Sequence, residues 1–100
     1  MNSSITTSIA GTENGIVSKK LLSGDGGNIT LFAFDKGQSL DNHSTPRKAM
    51  ILILEGQVDF NVGKEKKLLK KDDYILLQEN EEHSLTARSP LKMLLIMIKS

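Results

Sequence analysis

Ala49-Met50-Ile51-Leu52-Ile53-Leu54-Glu55-Gly56-Gln57-Val58-Asp59-Phe60-Asn61-Val62 is the stretch on which the fold turns. Its first six residues are all apolar, and its last six alternate polar with apolar. Alternation at period two marks a strand with one wet face, so Val58, Phe60 and Val62 are expected to point inward. An unbroken apolar run suits a strand covered on both faces. Glu55-Gly56 reads as the turn between them, and Gly63-Lys64 suits a tight hairpin that needs positive φ.

The same rhythm extends in both directions. Downstream, Lys66 to Leu69, Tyr74 to Leu77, His83 to Ala87 and Lys92 to Lys99 read as strands; upstream, so do Val17 to Leu22 and Ile29 to Phe34. Ser23-Gly24-Asp25-Gly26-Gly27-Asn28 is a hairpin connection, and Pro90 marks a loop before the last strand. In Ile29 to Phe34, one face carries Ile29, Leu31 and Ala33 and the other Thr30, Phe32 and Phe34. The final apolar run is short enough to suit a helix, but its isoleucines and its start after Pro90 favour a strand. About eight short strands, recurring every 8–12 residues or so, predict an all-β sandwich or barrel with little or no helix. The lysine-rich segment Lys64 to Asp73 reads as a solvated hairpin.

One hundred residues suit one domain. Residues 16–100 form it, and residues 1–15, rich in Ser, Thr, Asn and Gly, form an N-terminal arm that is either loose or docked as a short strand. A net charge of +1 argues against an electrostatic nucleic-acid binder. The absence of cysteine excludes disulfides, thiolate nucleophiles and thiolate metal sites. The N-terminus lacks the basic and apolar regions of a secretory signal, and Met93 to Ile98 is far shorter than the ~20 residues that span a bilayer. A soluble cytoplasmic protein without a membrane partner is therefore expected. Strands 49–54 and 93–98, apolar on both faces, predict a homodimer, with a second sheet of the same chain as the alternative cover.

The chain has two histidines. His43 closes Gly37-Gln38-Ser39-Leu40-Asp41-Asn42-His43, and His83 opens His83-Ser84-Leu85 after a polar turn. Imidazoles at the ends of two β segments can converge over one cavity if the sheet curls into a barrel.

Together these features resemble the cupin superfamily, small double-stranded β-helix (jelly-roll) barrels, over about residues 16–99. Gly37, His43 and Gly56 stand in register with the first cupin motif, but Thr45 occupies its second histidine position and Ala49 its glutamate. In the second motif His83 is kept, whereas Asp72, Gln78 and Asn80 replace Gly, Pro and Gly, and Ala87 replaces Asn. Asp and Asn enter left-handed backbone more readily than other non-glycine residues, so Asp72 and Asn80 are compatible with turns built for glycine. The likeness is closest to small single-domain cupins with one histidine in the first motif.

The resemblance implies a metal held by three histidines and a glutamate, of which this chain supplies only His43 and His83. Catalytic zinc uses three protein ligands, and the iron facial triad needs a carboxylate that Ala49 removes. Any divalent transition metal would thus have an incomplete ligand set, completed by water or by Gln38, Asp41, Asn42 or Gln78. The expected cavity is lined by His43, His83, Phe32, Phe34, Met50, Leu52 and Leu85. The expected function is binding of a small-molecule ligand with at most weak metal binding at His43 and His83. The alternatives are a metal-assisted isomerase or lyase acting on a small polar substrate, and a structural protein whose barrel is filled by side chains. Neither a Gly-x-Ser-x-Gly elbow nor a glycine-rich phosphate loop is present.

Overall fold

The chain forms nine strands in the computed structural model, which describes residues 4–99. They are β1 (Ile16–Gly24), β2 (Gly27–Phe34), β3 (Ser39–His43), β4 (Lys48–Glu55), β5 (Gln57–Val62), β6 (Glu65–Lys70), β7 (Tyr74–Leu77), β8 (His83–Ala87) and β9 (Leu91–Ile98). The described residues contain no helix, and hence none long and apolar enough to cross a membrane. Eight of the nine coincide with strands expected from sequence; β3 is additional.

The strands form two antiparallel sheets, ordered β1-β2-β9-β4-β7 and β3-β8-β5-β6. Apart from the β1–β2 and β5–β6 hairpins, every connection carries the chain from one sheet to the other. This alternation is the jelly-roll path. It follows that each sheet can bury a face only when both are assembled.

The interior holds Phe34 from β2; Ala49, Ile51 and Ile53 from β4; Val58 and Phe60 from β5; and Leu69 from β6. Ile75 and Leu77, Leu85 and Ala87, and Leu91 and Met93 complete it from β7, β8 and β9. Val58 and Phe60 are fully buried, as their alternation predicts, while Val62 is half-buried at the strand end. In β4 the inward parity belongs to Ala49, Ile51 and Ile53. Met50 and Leu52 therefore point to the opposite face, where Met50 is registered with Ile96 and Leu76, and Leu52 with Leu94 and Tyr74. Their expected place in the cavity is thereby corrected. Both parities of this central strand are apolar, so composition could not separate inside from outside.

The N-terminal arm docks without forming a strand. Ile9 is buried against Leu31 and Ala33, with Val17, Leu54 and Leu94 around it, on the outer face of the five-stranded sheet. Lys92 Nζ donates to the Thr6 carbonyl at 2.6 Å, and Lys19 Nζ to that of Ser8 at 3.2 Å. Asp35 accepts the Asn14 amide at 2.7 Å and the Lys36 amide at 2.8 Å. These two hydrogen bonds, that of Asn14 first, hold its carboxyl below the usual pKa.

Turn backbone agrees with the motif reading. Asp72 and Asn80, standing where glycines would, have φ of 74° and 63°. Gly56 (φ 85°) lets β4 switch sheets into β5, and a Cβ there would run into the Pro90 carbonyl oxygen. Gly63 (φ 56°) turns the β5–β6 hairpin with open space around it. Gly56→Ala should therefore destabilise the fold by about 3 kcal/mol or more, from strain and overlap together, and Gly63→Ala by only about 1 kcal/mol. Urea denaturation of the two variants checks the order; equal losses would refute it.

Candidate functional site

The two histidines meet across one strand pair. β3 runs antiparallel to β8, with Leu40 opposite Leu85 and His43 opposite His83. Three residues on β3 thus span two on β8, leaving one extra residue in a bulge between Leu40 and His43. Without it, plain alternation would set Asn42 against His83 and turn His43 to the outside. With it, the imidazole centroids lie 4.2 Å apart at an interplanar angle of 59°.

His83 is the deeper of the pair. It is the one buried polar side chain among the described residues, 5% exposed, and its ring lies parallel to Phe60 at a centroid distance of 6.0 Å. Val62 on β5 faces it from the other side. His43 is exposed at the rim. Each ring is anchored in the same way, His43 Nδ1 on the Asp41 carbonyl at 2.8 Å and His83 Nδ1 on the Glu81 carbonyl at 3.0 Å. A carbonyl only accepts, so in the neutral ring Nδ1 carries the proton and Nε2 keeps its lone pair. Beside the pair, Asn42 Nδ2 donates to Glu82 Oε2 at 3.2 Å and ties the two strands together.

Burial is the main cause that lowers the His83 pKa below its ordinary 6.5. The hydrogen bond to the Glu81 carbonyl opposes it, nearby His43 adds to it, and the Glu81 carboxylate again opposes it. His83 is therefore neutral at neutral pH.

The predicted lining residues divide three ways. Phe32, Phe34 and Leu85 face the same interior as His83. Phe34 and Leu85 are sealed core, and Phe34 pairs with Leu91 at the end remote from the histidines. Met50 and Leu52 lie on the outer face. Sequence reasoning passed over Leu40, Leu95 and Met97, half-buried inward side chains packed against the core, with Met97 registered to Ala49 near the histidine end. The parity set by Leu91 and Met93 would have pointed to Leu95 and Met97.

Other candidates lie elsewhere. Arg88 binds Asp59 at 2.8 Å, beyond the Ala87 end of β8 and away from the histidines. Lys48 reaches Glu79 at 4.0 Å, and Tyr74 is exposed on the outer face. Glu81 caps its own turn by accepting the Gln78 amide at 3.0 Å. Among the described residues no group of three or more His, Cys, Asp and Glu side chains could hold a metal. The donor set does not fit the three-histidine, one-glutamate centre. Thr45 and Ala49 are where the missing ligands would stand.

Two antiparallel sheets exchanging every strand but two hairpins, with an imidazole pair at one end, define a jelly-roll domain. The family model for the cupin domain matches residues 30–98, and the chain belongs to that family. Among solved structures, a conserved protein of unknown function from Streptococcus pyogenes is 27% identical. It aligns over 100% of this chain and 88% of its own, with a TM-score of 0.93. A cupin superfamily protein from Desulfitobacterium hafniense is 26% identical over 92% of this chain and 84% of its own, with a TM-score of 0.88. A Cupin 2 conserved barrel domain protein from Leptotrichia buccalis is 33% identical over 94% of this chain, with a TM-score of 0.89; this chain spans 46% of that one. No match was found among curated proteins.

The depressed His83 pKa carries a stability consequence. Between its lowered value and 6.5 the unfolded chain binds the proton that the folded chain refuses, so stability falls as pH drops through that window. His83→Phe keeps an aromatic ring on Phe60 and should remove this part of the slope. Urea midpoints from neutral to mildly acidic pH, compared between wild type and variant, check it; parallel curves would contradict the assignment.

Proposed function

We propose that the chain is a small-molecule-binding cupin whose guest is held by Nε2 of His43 and His83, with at most weak metal binding. The observation that carries this reading is the shared anchoring of the two rings. Both Nδ1 atoms are committed to main-chain carbonyls, so in the neutral ring each Nε2 keeps its lone pair, on imidazoles whose centroids lie 4.2 Å apart. Neutral imidazoles present acceptors, which suits a guest with hydroxyl or N–H donors. Leu40, Val62, Leu95 and Met97 offer an apolar wall to its body.

Two imidazoles without a carboxylate make a poor divalent-ion site, which is why an organic guest is preferred to an ion. Acid–base chemistry is not part of the proposal, because no side chain orients either ring as a catalytic partner; both are held by backbone.

The test is NMR of the ring nitrogens during titration with small polyols, amides and hydroxy acids, alongside metal analysis of untagged protein. A binding compound should move both Nε2 signals, and His43→Ala should weaken it by about tenfold, the value of a lost hydrogen bond. Metal should be well below one ion per chain after dialysis. Near-stoichiometric metal that both His43→Ala and His83→Ala abolish would overturn the reading in favour of a metal centre.

A further inference from the structure

The inner face of the five-stranded sheet turns polar at one corner. Phe32 and Phe34 set the inward parity of β2, so Thr30 and Asn28 share it. From Thr30 the inner row runs apolar through Leu95 and Ile51, and from Asn28 through Met97, Ala49 and Leu77. Towards β1 both rows become polar, with Lys20 opposite Thr30 and Ser23 opposite Asn28.

This corner belongs to the histidine end. The β3–β4 loop joins His43 to the start of β4, and the β7–β8 turn joins Leu77 to His83. The Asn80 amide ties the two together through the Thr45 carbonyl at 2.7 Å. The β1–β2 hairpin turns at the same end, where the Lys99 amide donates to the Gly26 carbonyl at 2.8 Å. The four-stranded sheet is one strand narrower, and β1 packs chiefly on β2. Lys20 is consequently exposed, while Thr30 and Asn28 are half-buried. Among the described residues the side chains of Lys20, Thr30 and Asn28 make no hydrogen bond or ion pair. The outer-face lysines Lys19 and Lys92, by contrast, both hold carbonyls of the arm.

We infer that Lys20, Thr30 and Asn28 form a second pole of the histidine cavity and select a short hydroxycarboxylate as its guest. The guest's hydroxyl donates to imidazole Nε2, and its carboxylate is received by the ammonium, hydroxyl and amide of the three residues. The inference rests on the ligand reading above and adds the chemical class of the guest. Its basis is the opposite character of the two poles. A neutral imidazole Nε2 only accepts, an ammonium only donates, and the threonine hydroxyl and asparagine amide can donate beside it. A guest that satisfies both must carry a donor at one end and a strong acceptor at the other. No inward position of β1 or β2 holds a carboxylate that would occupy Lys20. Beside the histidines, Glu81 and Glu82 are engaged by the Gln78 amide and by Asn42. Packed sheets lie about 10 Å apart and the side chains of both poles reach inward, so a guest of a few carbons bridges them.

Glycerate, glyceramide and glycerol, three-carbon probes that differ at one terminus, test the inference by NMR titration of the ring nitrogens. Glycerate should bind at least about tenfold more tightly than the other two. Lys20→Met and Thr30→Val should each weaken glycerate about fivefold, and Lys20→Met should leave glyceramide unaffected. Lys66→Met, exposed on the other sheet, is the control and should change nothing. Lys20 is itself exposed, so its substitution reads the charge without disturbing the core. Equal binding of the three probes, or glycerate binding that Lys20→Met and Thr30→Val both leave intact, overturns this inference while the ligand reading stands. The same holds if another polyol or amide moves the Nε2 signals and glycerate does not. If no compound moves them, both fall.

Discussion

Two sheets that bury one face each against the other are the constraint from which the rest of this structure follows. Because consecutive strands mostly belong to different sheets, neither sheet can be completed by a local stretch of chain. Phe34, Ile53, Phe60, Leu85, Leu91 and Met93 come from five strands in both sheets and are sealed together only when all are in place. Long-range pairing of this kind makes folding slow relative to a helical domain of similar size. It also explains the tight use of backbone at the crossings, as at Gly56, where no side chain fits.

The site is a small departure from that regular scheme. A single extra residue in β3 changes which side chain meets His83, and thereby converts an exposed histidine into one half of a pair. The other half is fixed by the core itself, through the ring of Phe60 and the strand partner Val62. Burial then keeps His83 neutral. Packing, register and protonation state are thus links in one chain of cause, beginning with where apolar residues stand in β5 and β8.

Most of the fold was legible because its strands are short, rhythmic and separated by turn residues. The substitution of Asp72 and Asn80 for turn glycines was legible for a chemical reason, and their positive φ agrees. β3 was not, because Ser39 to His43 offers one apolar residue, Leu40, and no alternation to count. The inward parity of β4 was hidden by apolar residues on both faces, which misplaced Met50 and Leu52. The docking of Ile9 was hidden too, since one isoleucine in a polar stretch carries no periodic signal. Of the candidate site, the identity of the two histidines could be read; their spacing needed the bulge, which only strand pairing reveals.

The Nδ1 atoms of both imidazoles are hydrogen-bonded to peptide oxygens, those of Asp41 and Glu81. A main-chain oxygen is present whatever amino acid occupies the position. Sequence drift at 41 and 81 can therefore alter local charge while leaving the tautomer of each ring unchanged. Which nitrogen is free to meet a guest is thus inherited with the backbone path, and evolution can revise the guest without first rebuilding the groups that greet it.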